Sequence, residues 1–182
     1  MTTERAPGIP AAEVADLLVA LIRNRCVNDG TADSGHEHRS AASIEAYLGT
    51  EGRRFEPHPG RVSTLFRIPG ANRAAPALLL LGHTDVVPVT PSGWSVDPFA
   101  GERSDGFVWG RGAVDMQNLT ASMAATFRTL AERGFRPTGD LISFGVADEE
   151  AGSAYGARWM ADHHRDAIMA DYDLTESGGL HT

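Results

Sequence analysis

Cysteine is almost absent from this chain. Cys26 is the single cysteine among 182 residues, so no internal disulfide forms, which is typical of a reducing compartment. Long hydrophobic runs are also lacking, because none approaches the roughly 20 residues that a membrane-spanning helix needs. Residues 1–9 contain no apolar core of a secretory signal. These absences predict a cytoplasmic protein with no membrane partner.

Positive charge is scarce as well. Only 16 basic residues face 24 acidic ones, and the formal net charge is −8. Phosphate backbones and anionic lipids repel such a chain, which argues against nucleic acid or a membrane surface as its partner. The 42% of hydrophobic residues indicates an ordinary globular protein. We expect one domain over residues 10–182, after a flexible segment over residues 1–9.

Apolar segments alternate with helical patterns along the chain. The predicted strands cover residues 53–56, 62–67, 77–82, 107–110, 140–147 and 172–175. The predicted helices cover residues 11–23, 40–48, 114–133 and 154–164. The Gly- and Pro-containing stretch 93–105 predicts a loop. The alternation predicts an α/β layered domain, in which binding sites lie beyond the carboxyl ends of the strands.

Ionisable residues gather at those predicted strand ends and at the start of the helix over 114–133. They are His83, Asp85, Asp115, Asp148, Glu149, Glu150 and Glu176. Because alternate strand residues point the same way, His83 and Asp85 share one side of their strand terminus. Taken singly, each acid has a plain explanation, such as a hydrogen-bonded turn, a solvated turn or a helix N-terminal acid.

Taken together, these acids predict a cation site. Carboxylates crowded at one edge repel each other unless a cation neutralises them, and histidine with carboxylates suits zinc, or less exclusively manganese or cobalt. A second metal would need a bridging carboxylate, for which Asp115 in its Gly-rich turn is the best candidate. Since adjacent side chains point differently, one of Glu149 and Glu150 would bind metal and the other would act as a general base.

Three linked motifs resemble the zinc exopeptidases related to aminoacylase. They are Gly-His-Thr-Asp-Val-Val-Pro at 82–88, Gly-Arg-Gly-Ala-Val-Asp-Met at 110–116 and Asp-Glu-Glu at 148–150. The family includes glutamate carboxypeptidase, acetylornithine deacetylase and succinyl-diaminopimelate desuccinylase, and the match runs from about residue 11 to 176. The resemblance implies a three-layer domain whose central sheet is mixed, mostly parallel and flanked by helices.

The resemblance also implies a role for each site residue. His83 and Glu176 bind one zinc ion, and Glu150 binds a second. Asp115 bridges the two ions, commonly with a cis peptide bond just after it. Cobalt and manganese are the alternative metals.

The implied reaction is hydrolysis of an amide or peptide bond in an N-acyl amino acid or a peptide, as in exopeptidases, deacylases and amidohydrolases. Asp85 orients His83. Glu149 is the general base that deprotonates a water molecule bridging the metals.

Two features depart from the family pattern. Gln117 stands where lysine usually follows the Asp-Met pair. Family members are also much longer, with a lid domain that mediates homodimerisation and supplies a transition-state histidine, and a final metal-binding histidine after it. We therefore expect the C-terminal half and the lid to be absent here, one zinc site to be stronger than the other, and almost no activity from this chain alone.

Two alternatives stay open at this point. One is a non-catalytic metal-binding fragment or degenerate domain of the same fold. The other is a metal-free α/β module that binds a cationic ligand with the strand-end acids. Several other histidines are not expected to be ligands. His36 and His38 lie in a polar loop that enters a helix, His163 and His164 lie at a helix end, where the helix dipole favours histidine, and His181 is expected at the surface.

Overall fold

The computed structural model describes residues 8–176, and their helices and strands alternate as predicted. The helices are α1 (Ala11–Arg23), α2 (His38–Leu48), α3 (Gln117–Glu132), α4 (Ala157–His163) and α5 (Arg165–Ile168). The strands are β1 (Arg53–His58), β2 (Arg61–Ile68), β3 (Leu78–His83), β4 (Glu102–Ser104), β5 (Phe107–Trp109), β6 (Leu141–Val146) and β7 (Tyr172–Leu174). The predicted flexible segment 1–9 falls largely on residues 1–7, outside the described residues.

One mixed sheet organises the described residues. Its five strands follow the order β1-β2-β6-β3-β7. The β6, β3 and β7 strands are parallel neighbours, whereas β2 is antiparallel to both β1 and β6. All strands except β2 therefore run in one direction, which confirms the expected mixed, mostly parallel sheet. The β4 and β5 strands form a separate antiparallel hairpin.

Helices cover both faces of this sheet. Since successive strand side chains point to opposite faces, Leu80 joins a core with Leu21 of α1 and Phe127 of α3, while Leu79 joins a second core with Met160 of α4. Burial of this apolar surface, at about 25 cal/mol per Å², is the main force that holds the three layers together. Among residues 8–176, no helix has both the length and the apolar character required to cross a bilayer.

Most predicted element ends differ from the observed ones by one or two residues, and three predictions differ in a larger respect. The α3 helix begins at Gln117, so Asp115 lies in the turn before the helix and does not open it. The helix predicted over 154–164 is shorter and is followed by α5, because His164 leaves helical geometry with φ −140 and ψ 36. The predicted loop 93–105 contains β4, whose pairing with β5 depends on a partner strand and not on its own sequence pattern.

Candidate metal centre

The carboxyl ends of three parallel strands meet at one edge of the sheet. His83 is the last residue of β3 and is in register with Val146, the last residue of β6. Leu174, which ends β7, is in register with Leu80. Glu176 follows Leu174 by two residues, and its Oε1 atom lies near the His83 ring at this edge. The sheet register thus brings the predicted acids together.

Three side chains converge at this edge with the geometry of a metal site. His83 Nε2 lies 3.1 Å from Asp115 Oδ1 and 3.6 Å from Glu176 Oε1, and the donor atoms of the three residues all lie within 4.8 Å of one another. Two donors on one tetrahedral zinc ion are about 3.3 Å apart, so the spacing fits. In the described part of the chain, no other group of three such side chains occurs. His36 and His38 do not belong to this group.

Asp115 is placed by the buried residue that follows it. The Met116 carbonyl accepts a hydrogen bond of 3.0 Å from the Thr120 amide, and Met116 Sδ lies 3.3 Å from the His83 amide nitrogen. The Asp115–Met116 peptide bond is cis, as the resemblance implied. The Asp115 side chain itself is 63% exposed. Its carboxylate therefore faces both His83 and solvent.

His83 is buried and held from several sides. Its Nδ1 atom lies 3.0 Å from the backbone oxygen of Asp85 and 3.5 Å from Asp85 Oδ1, and its carbonyl accepts a 2.9 Å hydrogen bond from the Thr120 hydroxyl. Burial alone would lower the pKa of His83, but Asp85, Asp115 and Glu149 outweigh it and raise that pKa to about 9. The Nε2 atom is thus directed at the acids.

The Asp85 carboxylate anchors the turn that follows β6. Its Oδ1 accepts the Glu149 amide at 3.2 Å, and its Oδ2 accepts the Glu150 amide at 3.1 Å and Asn28 Nδ2 at 2.8 Å. Although burial opposes it, the His83 ring and the Asn28 hydrogen bond hold the pKa of Asp85 below its usual value. Asp85 thus adjoins His83, as expected, and also fixes the backbone of the two glutamates.

The remaining acids surround the three-residue group. Glu149 Oε2 lies 3.9 Å from His83 Nε2, and its side chain is 43% exposed. Glu150 lies outside the group of donors within 4.8 Å, but burial and then the Asp115 charge raise its pKa to about 7 against the pull of His83. Burial and Asp115 also raise the pKa of Glu176. These raised carboxyl pKa values reflect burial first and repulsion among the acids second, and a bound cation offsets both.

Sequence reasoning missed a buried polar layer behind these residues. Arg61 of β2 has a fully buried side chain, and its Nη2 lies 2.9 Å from Glu37 Oε1 and 2.7 Å from Asp148 Oδ1. Asn28 bonds to both Asp85 and Asp148. Arginine and asparagine are mostly exposed in proteins, so no local pattern marked them. The one available signal was Asp148, a strand-end acid that the predicted ligand set left without a role.

Two further residues complete the comparison with the predicted site. Gln117, which stands in place of the family lysine, is buried with Nε2 3.5 Å from the Thr84 carbonyl oxygen. His181 lies outside the described residues.

Comparison of sequences identifies relatives. The sequence model of Peptidase family M20/M25/M40 matches residues 79–181. Succinyl-diaminopimelate desuccinylase of Rhodospirillum centenum is 37% identical over 153 residues, which are 79% of this chain and 39% of that protein. Aminoacylase-1 of Sus scrofa is 38% identical over 131 residues, 71% of this chain and 32% of that protein. The chain thus matches about two-fifths or less of the length of these curated relatives.

Solved structures share the fold. An M20 family metallo-carboxypeptidase from Sulfolobus solfataricus superposes with a TM-score of 0.74 at 20% identity, covering 92% of this chain and 38% of that one. A dinuclear metal-binding M20 peptidase from Bacillus subtilis superposes with a TM-score of 0.55 at 16% identity, covering 89% of this chain and 42% of that one. The family sequence model covers more than half of the 182 residues, and this chain belongs to peptidase family M20/M25/M40.

Proposed function

We propose that residues 10–182 carry the metal-binding part of the catalytic domain of a metal-dependent hydrolase. The observation that carries this proposal is the convergence of His83, Asp115 and Glu176 donors within 4.8 Å of one another. The proposed substrate of the whole protein is an N-acyl amino acid or a peptide, since the relatives named above are a desuccinylase and an aminoacylase.

Zinc is the metal that this donor set favours, with cobalt and manganese as alternatives. One imidazole nitrogen and two carboxylates match its usual ligands. We propose Asp115 as the bridge to a second ion that Glu150 would help to hold. The influence of Asp115 on the pKa of Glu150 supports this pairing, because it indicates that the two carboxylates are near each other.

The chain's own residues supply proton transfer. Bound metal ions polarise an amide carbonyl and lower the pKa of water. Glu149 is proposed to accept a proton from the attacking water and to return it to the leaving amine. Its backbone is fixed by the 3.2 Å hydrogen bond to Asp85, and its partly exposed side chain lies next to His83. A substrate arriving from solvent can therefore reach it.

Titration of the metal-free chain with zinc in a calorimeter tests the site. We expect one tight site at His83, Asp115 and Glu176, and a weaker second site, because only Asp115 and Glu150 are proposed as its ligands. His83→Ala should abolish the tight site, whereas His163→Ala, a change at the last residue of α4, should leave both sites unchanged. Two equally tight sites would contradict the predicted difference in zinc affinity. A tight site retained in His83→Ala would contradict the assignment of His83 as a ligand.

Hydrolysis is tested separately on the zinc-loaded chain. With only two ligands proposed for the second ion, the 182 residues should be almost inactive towards an N-acetyl amino acid, measured as amine release. Glu149→Gln should lower any residual rate about 100-fold or more, because general-base catalysis accelerates a reaction by about this factor. Efficient hydrolysis by the isolated chain, or a residual rate unchanged in Glu149→Gln, would contradict this part of the proposal.

A further inference from the structure

We infer that Asn28 is a positioning residue for the metal centre, an inference that rests on the proposed function. Its Nδ2 atom lies 2.8 Å from Asp85 Oδ2 and 2.9 Å from Asp148 Oδ1. An amide nitrogen carries two hydrogens, so Asn28 can donate one to each carboxylate. Both acids and Asn28 are buried. One side chain therefore joins the end of β3 to the turn after β6.

The amide of Asn28 has a defined orientation. Its Oδ1 accepts a 3.1 Å hydrogen bond from the Gly30 amide and a 3.3 Å hydrogen bond from the Ser34 hydroxyl. An inverted amide would turn its NH₂ group towards the Gly30 donor and its oxygen towards two carboxylates. The loop that holds Asn28 thus directs its two donors at the acids.

The two carboxylates that Asn28 joins control where the glutamates lie. Asp85 accepts the backbone amides of Glu149 and Glu150. Asp148 adopts a φ of 60, a left-handed conformation uncommon for residues with a side chain, and its Oδ2 accepts the Tyr155 amide at 2.9 Å. Asn28 therefore acts on the turn 148–150 from both sides.

Loss of the Asn28 donors should disturb this turn. Two buried carboxylates would lose a shared donor, and their repulsion would no longer be offset by it. The substitution Asn28→Asp keeps the shape of the side chain and the Oδ1 acceptor for Gly30 and Ser34. It replaces the donating nitrogen by an oxygen and places a third carboxylate beside the two, whereas Asn28→Ala removes the donor without adding a charge.

Asn24 provides a matched control from the same part of the chain. Its Nδ2 donates to Ser43 Oγ at 2.9 Å and to Ser40 Oγ at 3.3 Å, so it tethers the end of α1 to α2. None of these bonds reaches the strand-end acids. Asn24→Ala therefore removes a comparable side-chain amide and leaves the Asn28 hydrogen bonds to Asp85 and Asp148 in place.

The experiment titrates the 182-residue chain with Co²⁺ and records its visible absorption, whose bands report the coordination of the ion. Wild type, Asn28→Asp, Asn28→Ala and Asn24→Ala are compared, and thermal unfolding without metal measures stability. We expect both Asn28 variants to bind Co²⁺ about 10- to 100-fold more weakly, as for other residues that orient metal ligands, with altered bands. Asn24→Ala should lower the unfolding temperature but keep the wild-type affinity and spectrum.

Each outcome has one meaning. Folded Asn28 variants with wild-type affinity and spectrum would overturn the inference while leaving the proposed metal site intact. If both variants fail to fold with or without Co²⁺, Asn28 is needed for folding and the inference is equally overturned. A wild-type chain that binds no Co²⁺ would instead overturn the proposed function, whatever the variants do.

Discussion

The Arg61 guanidinium and the Asp148 carboxylate lie 2.7 Å apart, and both side chains are buried. Arg61 also lies 2.9 Å from Glu37 and donates through Nη1 to the backbone oxygen of Ser34 at 3.0 Å. One buried cation thus joins β2, the loop before α2 and the turn after β6. Such networks add little net stability, because desolvation offsets their attraction, but breaking one leaves uncompensated buried charge.

Arg61→Met should destabilise the chain strongly. It removes the cation and leaves Glu37 and Asp148 buried without it, so the free energy of unfolding should fall by about 3–5 kcal/mol. Urea unfolding followed by circular dichroism measures the loss. Arg103→Ala is the control, because Arg103 forms a pair with Asp16 that is exposed on both sides and is worth about 0–1 kcal/mol. Equal losses in the two variants would contradict a structural role for the buried charge.

Glu37 should make stability fall as pH rises through the weakly acidic range. Burial raises its pKa from 4.5 to about 7, against the opposing charge of Arg61. The folded chain therefore keeps a proton that the unfolded chain releases between those two values, so stability decreases with pH in this window, by at most about 1.4 kcal/mol per pH unit.

The difference between wild type and Glu37→Gln isolates this contribution. Unfolding free energies measured from pH 4 to 8 should decline less steeply in the variant over this window. Glu132→Gln, at an exposed position on α3, should follow the wild-type curve. A Glu37→Gln curve parallel to that of wild type would show that Glu37 is already ionised in the folded chain.

Glu149→Gln and Glu150→Gln should affect zinc binding differently. If Glu150 is a ligand of the second ion, its amide variant should weaken that site by at least about tenfold and leave the tight site unchanged. Glu149→Gln should leave both affinities close to wild type, since a proton-transfer group does not bind the metal. The same calorimetric titration measures both variants. If Glu149→Gln weakened the second zinc site and Glu150→Gln did not, the two assigned roles would be reversed.

Gly156→Ala should destabilise the contact between α4 and the end of β6. A Cβ atom on Gly156 would overlap the Ala147 backbone oxygen, and neither group is a flexible side chain. Overpacking of this kind costs about 1–3 kcal/mol, measurable by thermal unfolding. Gly93→Ala is the control, because no heavy atom lies within 4 Å of its added Cβ. Similar stability of the two variants would contradict the close packing.

Local pattern predicted most of the elements and the position of the acids. The α1 helix has the predicted bounds, because the spacing of its apolar residues reflects a periodicity internal to one segment. His83 and Asp115 were recognisable for a similar reason, since each lies in a short motif beside a predicted strand or helix. Strand ends of a parallel sheet meet at one edge, so their approach was predictable without coordinates.

The buried layer behind the site followed no such rule. Asn28 forms hydrogen bonds with Asp85 and Asp148, which lie 57 and 120 positions after it in the sequence. Arg61 contacts Asp148 across a sequence separation of 87 residues. Their partners are set by strand order and by the path of a loop, neither of which leaves a local periodicity. Sequence therefore predicted which groups could bind a metal. Tertiary packing decided which buried donors hold those groups in place, because a hydrogen bond depends on proximity in space and not along the chain.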